Sequence, residues 1–293
     1  VIIRHIQDTP VSAIGLGGMP MSIEGRPDRG RSIDTIHAAL DAGVTFIDTA
    51  DAYHLGAQAV GRDEAGHNES LIKEALQSWS GDSGNVVVAT KGGHYRIPDG
   101  TWMLNGRPEY IKTAAKASAK RLGVESIGLY QYHRPDPAVP YEDTVGALAD
   151  LLDEGVIRMA GISNADQDQI HLANDVLGGR LASVQNQFSP SFRSSRAELR
   201  LCAELRIAFL PWSPLGGIGR AGELDSRHAA FGEVGSRYGV SPQQVCIAWE
   251  LSLSPTVIPI PGASRPETIR DSAAAAALVL TPEDTAALDA AVA

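Results

Sequence analysis

Cysteine is scarce in this chain. The two present, Cys202 and Cys246, fall in helix-like patterns without metal-type spacing. That excludes a disulfide framework or a thiolate cluster and leaves two buried thiols in a reducing cytosol, so a cytoplasmic location is expected. Long apolar runs are also missing. The opening Val1-Ile2-Ile3 gives way to Arg4, His5 and Gln7, too short for a signal-peptide core or a membrane span. Val1 is not an initiator methionine. Positive charge is in deficit: 25 Lys and Arg face 35 Asp and Glu, for a net charge of −10. Nucleic acid and anionic membranes need a basic footprint, so neither is expected as the main partner. A small anionic cofactor needs only local positive charge and stays open.

What is present is ordinary for a globular protein: 43% hydrophobic and 20% charged residues over 293 positions. No composition shift marks a linker, so one domain spanning 1–293 is expected. Apolar, β-branched runs alternate with helical patterns. The strand candidates are Ala13–Leu16, Val44–Asp48, Val86–Thr90, Ile127–Tyr132, Ile157–Ile162, Ser183–Gln187, Ile207–Pro211 and Val257–Ile260. Most are unbroken rather than alternating, as parallel strands covered on both faces read. Helix candidates lie between and after them: Ser32–Ala42, Glu69–Trp79, Pro108–Leu122, Tyr141–Glu154, Asp166–Leu177, Ser194–Leu205, Arg227–Tyr238, Pro242–Leu253, Pro266–Ala277 and Pro282–Ala291. Gly43, Gly123, Gly155 and Gly178 follow four of them, where a C-terminal stop is expected. Eight β-then-α units predict an α/β fold, a (β/α)8 TIM barrel of the usual ~250 residues plus additions. The additions are a short N-terminal cover before Ala13 and extra C-terminal helices. A doubly wound open sheet would need a G-x-G-x-x-G turn. The one candidate, Gly15–Pro20, has proline where the third glycine belongs.

Four segments end in residues suited to moving a hydride to a carbonyl. FIDTADAY supplies Asp48 and Tyr53, VVVATKGG supplies Lys91, and IGLYQYH supplies His133. A barrel carries its active site at the C-terminal ends of its strands, so strands 2, 3 and 4 aim these groups at one mouth. Tyr53 can donate the proton. A free tyrosine titrates near pH ~10, and a neighbouring ammonium lowers that value by stabilising the phenolate. Lys91 can be that ammonium, Asp48 can hold it by an ion pair, and His133 can orient the substrate oxygen. Singly, each has a plainer reading: a turn-forming Asp, a packed Tyr, a solvated Lys, a surface His before Arg134 and Pro135. At consecutive strand ends, four coincidences are less economical than one site.

The segments GVTFIDTADAY, ATKGG, LYQYHRPD, GVIRMAGISN, VQNQFS, PWSPLGGI and PIPGASRPETIRDS resemble, in order and spacing, those of the aldo-keto reductase superfamily, from about Gly15 to Leu280. The resemblance implies a (β/α)8 barrel that uses NAD(P)H without a dinucleotide-binding domain. Its Asp–Tyr–Lys–His tetrad falls on Asp48, Tyr53, Lys91 and His133. It also implies that Ser163, Asn164 and Gln185 bond the nicotinamide carboxamide, and that Trp212 stacks on the ring. Gly18 and Met19 would flank the nicotinamide end, with Asp48 nearby. Ser213, Leu215 and Gly217 would lead a loop over the pyrophosphate. Gly262, Ser264 and Arg265 match the segment that grips an adenosine 2′-phosphate, and Thr268, Asp271 and Ser272 match positions around the adenine. Gly262 and Thr268 stand where the best-known members have Lys and Arg. Arg265 alone can still contact phosphate, so NADP(H) is the expected cofactor, ahead of NAD(H).

On the substrate side, the long connection 92–107 offers Tyr95, Trp102 and Met103 as pocket walls, with Met21 and Ile23 opposite. The loop 53–68 holds His54 and His67 without tight ligand spacing, so no metal is expected. The chain ends soon after its last predicted helix, which points to an open pocket. The expected reaction is reduction of an aldehyde or ketone, or the reverse, on a small carbonyl or alcohol substrate. The alternatives are a nucleotide-binding regulatory subunit like the potassium-channel beta subunits that resemble these enzymes, and a metal-dependent barrel hydrolase or isomerase. The oligomeric state is not legible.

Overall fold

Two layers build the protein: a curled parallel sheet inside and helices outside. The computed structural model describes residues 2–292. The chain enters as an antiparallel hairpin, β1 (Ile3–Ile6) and β2 (Thr9–Ser12). Strand β3 (Leu16–Gly17) leads to helix α1 (Arg29–Asp41), and β4 (Phe46–Asp48) to α2 (Ala57–Val60) and α3 (His67–Ser78). Strand β5 (Val87–Gly92) runs into a second hairpin, β6 (His94–Arg96) with β7 (Trp102–Leu104), before α4 (Pro108–Leu122). Then β8 (Leu129–Tyr132), α5 (Tyr141–Asp153), β9 (Ala160–Ser163), α6 (Gln167–Val176), β10 (Leu181–Gln185), α7 (Arg196–Leu205) and β11 (Ala208–Phe209) follow. Helices α8 (Leu224–Arg227), α9 (Ala229–Tyr238), α10 (Pro242–Leu253), α11 (Pro266–Ala274) and α12 (Pro282–Ala291) complete the chain.

The seven parallel strands neighbour one another in the order β11-β10-β9-β8-β5-β4-β3. The eighth position, expected as a strand over Val257–Ile260, is extended backbone joined to both edges by single bridges, Phe209 to Val257 and Gly17 to Gly262. Its prolines explain this. Pro259 and Pro261 have no N–H and so cannot donate to a ladder. The isoleucines that alternate with them face one edge, Ile258 N donating to Phe209 O at 2.9 Å and Ile260 N to Pro211 O at 3.2 Å. The proline carbonyls accept from the other edge, at 2.9 Å from both Gly15 N and Gly17 N. These bonds close the barrel.

Burial follows from the layers. Ile36, Ala39, Leu71 and Ile72 cover one side of the sheet, and Ile111, Leu148, Ile170 and Cys202 cover the others. Inside the barrel, Phe46, Leu129, Met159 and Ile258 pack with Ile6 and Val11 of the N-terminal hairpin. The hairpin therefore plugs the end opposite the strand C-termini, which is the cover read from the sequence. Each such apolar side chain stabilises the fold by roughly 1.5–3 kcal/mol.

Helix α1 starts a turn earlier than the expected Ser32. Asp28 caps it, its carboxylate accepting from Arg31 N at 2.9 Å. Ser32 instead lies inside the first turn.

Gly161 shows how tightly the barrel interior is filled under the site. A Cβ there would lie 2.2 Å from Ser183 Oγ and 2.9 Å from Gln131 Cγ. Gly161→Ala is expected to cost about 1–3 kcal/mol and lower the melting temperature by several degrees, because both neighbours must move. A thermal melt checks this, and an unchanged midpoint would refute it.

Candidate active site

Strands β3, β4, β5, β8, β9 and β10 end around one cavity of about 930 Å³. Asp48, Tyr53, His133, Ser163, Asn164, Gln185, Trp212, Ser213, Leu215, Gly217, Gly262, Ser264, Arg265 and Thr268 all line it, as does Met19. Lys91 lies beneath its floor and is fully buried.

Lys91 organises the floor. Its ammonium donates to Asp48 Oδ2 at 2.7 Å, to Thr49 O at 2.8 Å and to Tyr53 Oη at 3.1 Å. Three acceptors match the three protons of an ammonium, which is the condition for keeping such a charge in a dry site. The other oxygen of Asp48 accepts from Gln185 Nε2 at 2.8 Å and, more weakly, from Gln131 Nε2 at 3.4 Å. Ser183 Oγ holds Gln131 in turn, donating to its Oε1 at 3.2 Å.

Burial and charge set the protonation states. Burial raises the Tyr53 pKa; Lys91 pulls it down and Asp48 pushes it up, and the net lies above the ordinary tyrosine value. The expected lowering by Lys91 is thus real, but desolvation outweighs it, and the phenol is a neutral donor at physiological pH. Burial lowers the Lys91 pKa, yet the attractions of Asp48 and Tyr53 prevail and the net is upward. His133 is pushed well below its usual value, by burial first and then by Lys91, His94 and Arg134. It is therefore a neutral imidazole. Its ring meets that of Tyr53 edge-on, with centroids 5.8 Å apart.

The far side of the cavity is held by a chain of bonds. Ser163 Oγ donates to Gln185 O at 2.8 Å, Asn164 Nδ2 to His133 O at 3.0 Å, and Trp212 Nε1 to Asn164 Oδ1 at 3.2 Å. Asn164 and Ser213 have positive φ, 57° and 54°. Left-handed backbone at residues other than glycine costs stability and concentrates at functional sites. Here it occurs at the two neighbours of Trp212, its hydrogen-bond partner Asn164 and the next residue, Ser213.

Several residues read from the sequence lie elsewhere. Met21 is buried against Leu16, Ile36 and Leu71 under α1, with no face on the cavity. Tyr95 lines a separate cavity beside Tyr110. Trp102 does line the main one, at its rim. Gly18 sits just behind Met19, its N–H donating to Asp48 O at 2.8 Å. Asp271 accepts from Ser241 Oγ and Gln244 Nε2 of the neighbouring helix, at 2.7 and 2.6 Å, and Ser272 is buried in α11.

Other contributors gave no signal in the sequence. His94 stacks on Trp102 with centroids 4.7 Å apart and meets His133 edge-on at 5.0 Å. Gln131 is a polar residue inside a strand, in the LYQY run. Asn68 bonds Gly18 O at 2.9 Å and receives Thr49 Oγ1 at 2.6 Å, joining the β3 and β4 ends behind the floor. Arg134 lines the cavity beside His133 and makes no ion pair among the described residues. No group of three or more His, Cys, Asp or Glu among the described residues could hold a metal ion. No helix there is long and apolar enough to cross a membrane.

Comparisons with known proteins give the same fold and site region a family. A family model described as the aldo/keto reductase family matches residues 13–293. An uncharacterised oxidoreductase of Schizosaccharomyces pombe is 32% identical over 288 residues, which is 97% of this chain and 88% of that protein. A probable aldo-keto reductase of Glycine max is 31% identical, covering 95% of this chain and 84% of its own. The crystal structure of an aldo-keto reductase from Klebsiella pneumoniae in complex with NADPH superposes with a TM-score of 0.80 at 25% identity, covering 99% of this chain and 95% of that one. The chain belongs to the aldo/keto reductase family.

Proposed function

We propose that this protein is an NADPH-dependent oxidoreductase that reduces an aldehyde or ketone to the alcohol, or runs the reverse, with Tyr53 as the general acid. The observation that carries this reading is the pair of bonds from Lys91 Nζ, 2.7 Å to Asp48 and 3.1 Å to Tyr53, under a cavity whose wall includes His133.

The residues present fit a nicotinamide dinucleotide. One end of the cavity offers the hydroxyl of Ser163 and the amides of Asn164 and Gln185, which would hold a carboxamide, beside the flat indole of Trp212. The other end offers Ser264 and Arg265 at the start of α11, where helix N–H groups favour an anion. Gly217 and Gly219 carry positive φ, which suits glycine in a loop lying close to a diphosphate. When bound, the reduced nicotinamide supplies the hydride to the carbonyl carbon.

The chain's own groups supply the proton. A substrate oxygen placed between Tyr53 and His133 receives hydrogen bonds from a phenol and a neutral imidazole. As negative charge develops on that oxygen, Tyr53 gives up its proton. The resulting phenolate is stabilised by Lys91, whose own charge is balanced by Asp48. Trp102, Leu104 and Ile218 give the cavity an apolar rim.

Turnover tests the reading against a regulatory role on the same scaffold. Loss of NADPH absorbance with a panel of aldehydes and ketones is expected to show steady turnover. Tight NADPH binding with no turnover on any of them would favour the regulatory reading. Arg265 tests the cofactor choice. Arg265→Ala is expected to weaken NADPH binding by about 10- to 100-fold, the worth of a charge-assisted contact, while NADH binding stays within about twofold. Fluorescence titration reads both, and an equal loss for the two cofactors would refute a 2′-phosphate contact.

A further inference from the structure

A second cavity, of about 450 Å³, opens between the segment after β4, strand β6 with its turn, and helix α4. Its charged lining is unbalanced. Arg96 is spent on Gly100 O, His54 O and Glu24. Arg121 is spent on Glu69 and Ser118. The carboxyl of Asp51 has no side-chain partner among the described residues, only the neighbouring backbone N–H of Ala52. It lies at the cavity wall, 9% exposed, and its Oδ1 is buried without a hydrogen bond. Asp63 adds a second carboxylate, bonded only to Ala65 N. The unmatched groups are therefore acceptors. The walls are aromatic and apolar: the rings of Tyr95 and Tyr110 lie 5.8 Å apart at 45°, with Ala114 and Ala117 of α4 beside them.

A carboxyl with no side-chain donor and one unsatisfied oxygen, next to electron-rich ring faces, is an acceptor set for an ammonium on an apolar body. We propose that this cavity is a second binding site, for a small aryl- or alkyl-ammonium compound that donates to Asp51 and lies against Tyr95 and Tyr110. Asp51 is also part of the catalytic segment. Its N–H donates to Lys91 O at 3.3 Å and its carbonyl accepts from Gly66 N at 2.8 Å, so it is tied directly to the strand that bears Lys91. The site is a place from which an amine can influence the reduction without competing for the main cavity.

Burial, then the nearby Glu69, push the Asp51 pKa up to about 8, against the opposing pull of Arg121, the backbone N–H of Ala52 and Lys91. Tyr110 and Tyr130 face the same carboxyl and add no charge at neutral pH. At about pH 7 the carboxyl is mostly protonated, and an arriving cation ionises it. The proton is released to solvent, which gives binding a signature that a merely greasy contact lacks.

Benzylammonium chloride is the probe, and calorimetry at about pH 7 in two buffers of different ionisation enthalpy is the measurement. The expected result is saturable binding with release of close to one proton. Asp51→Asn, which keeps the shape, is expected to weaken binding by about tenfold or more and abolish the proton release. Tyr110→Leu is expected to weaken binding severalfold while keeping the proton release. Benzyl alcohol, the uncharged counterpart, is expected to bind at least about tenfold more weakly. Absence of binding, equal affinity for benzyl alcohol, or binding that Asp51→Asn leaves unchanged would overturn the proposal.

Discussion

Tyr53→Phe is expected to lower kcat for carbonyl reduction by roughly 10²–10⁴-fold, the usual worth of a positioned proton donor, and to leave NADPH affinity nearly unchanged. The ring keeps its packing against His133, and only the hydroxyl 3.1 Å from Lys91 is lost. The pH profile carries the same assignment. Burial leaves the Tyr53 pKa above the ordinary value of 10.0 despite Lys91. Reduction, which needs the phenol, is then expected to hold its rate through neutral pH and fall only in the strongly alkaline range. Alcohol oxidation, which needs the phenolate, is expected to rise with pH throughout. His133 does not add a limb near pH 6, because burial already keeps it neutral. Steady-state rates in both directions for wild type and variant check this. A variant that retains most of its kcat would remove Tyr53 from the role of acid, whatever its place in the cavity.

The four groups that end β4, β5 and β8 or follow them were legible because each closes an apolar run, and a parallel sheet puts all such ends on one side. The barrel was legible for the same reason. What escaped the sequence did so for specific physical causes. The eighth strand is held by alternate residues only, because its prolines donate nothing. The hairpin of β6 and β7 has no buried face to impose alternation: Trp102, Met103 and Leu104 are all exposed. Tyr95 and His94 are neighbours in that hairpin and point to opposite faces, as strand geometry requires. Tyr95 therefore cannot share a wall with Trp102, and it is His94 that reaches the main cavity. Gln131 was invisible because a single polar residue inside an apolar run carries no periodic signal; only its place beneath Asp48 gives it meaning. Asp51 was masked by its neighbours in DTADAY, which offer a turn and a catalytic pair as sufficient reasons for the segment.

Glu250 is expected to limit stability in a pH-dependent way. It sits in α10 with no solvent exposure, and neither carboxyl oxygen has a hydrogen bond. Cys246, one turn back, lies near it, and Val245, Ile247, Trp249 and Leu251 of the same helix belong to the core. Burial alone drives its pKa well above the usual carboxylate value of 4.5. The unfolded chain binds this proton less tightly than the folded one. Stability from the protonated group is therefore complete below about pH 4.5 and declines as pH rises toward the folded-state pKa. Glu250→Gln removes the titration and keeps the size. It is expected to gain roughly 1–3 kcal/mol at about pH 7, or several degrees in melting temperature, with the gain vanishing near pH 4. Glu250→Met also removes the unsatisfied polar atoms and is expected to gain at both pH values. Thermal melts at about pH 4 and pH 7 separate the two contributions. A Glu250→Gln difference that does not change with pH would mean that Glu250 is ionised in the folded protein and holds a partner. The linkage also bears on function: α10 packs against α11, whose N-cap residue, Arg265, lines the cavity. A protein freed of this strain would test how far the present margin of stability limits the working pH range of the enzyme rather than the chemistry of Tyr53.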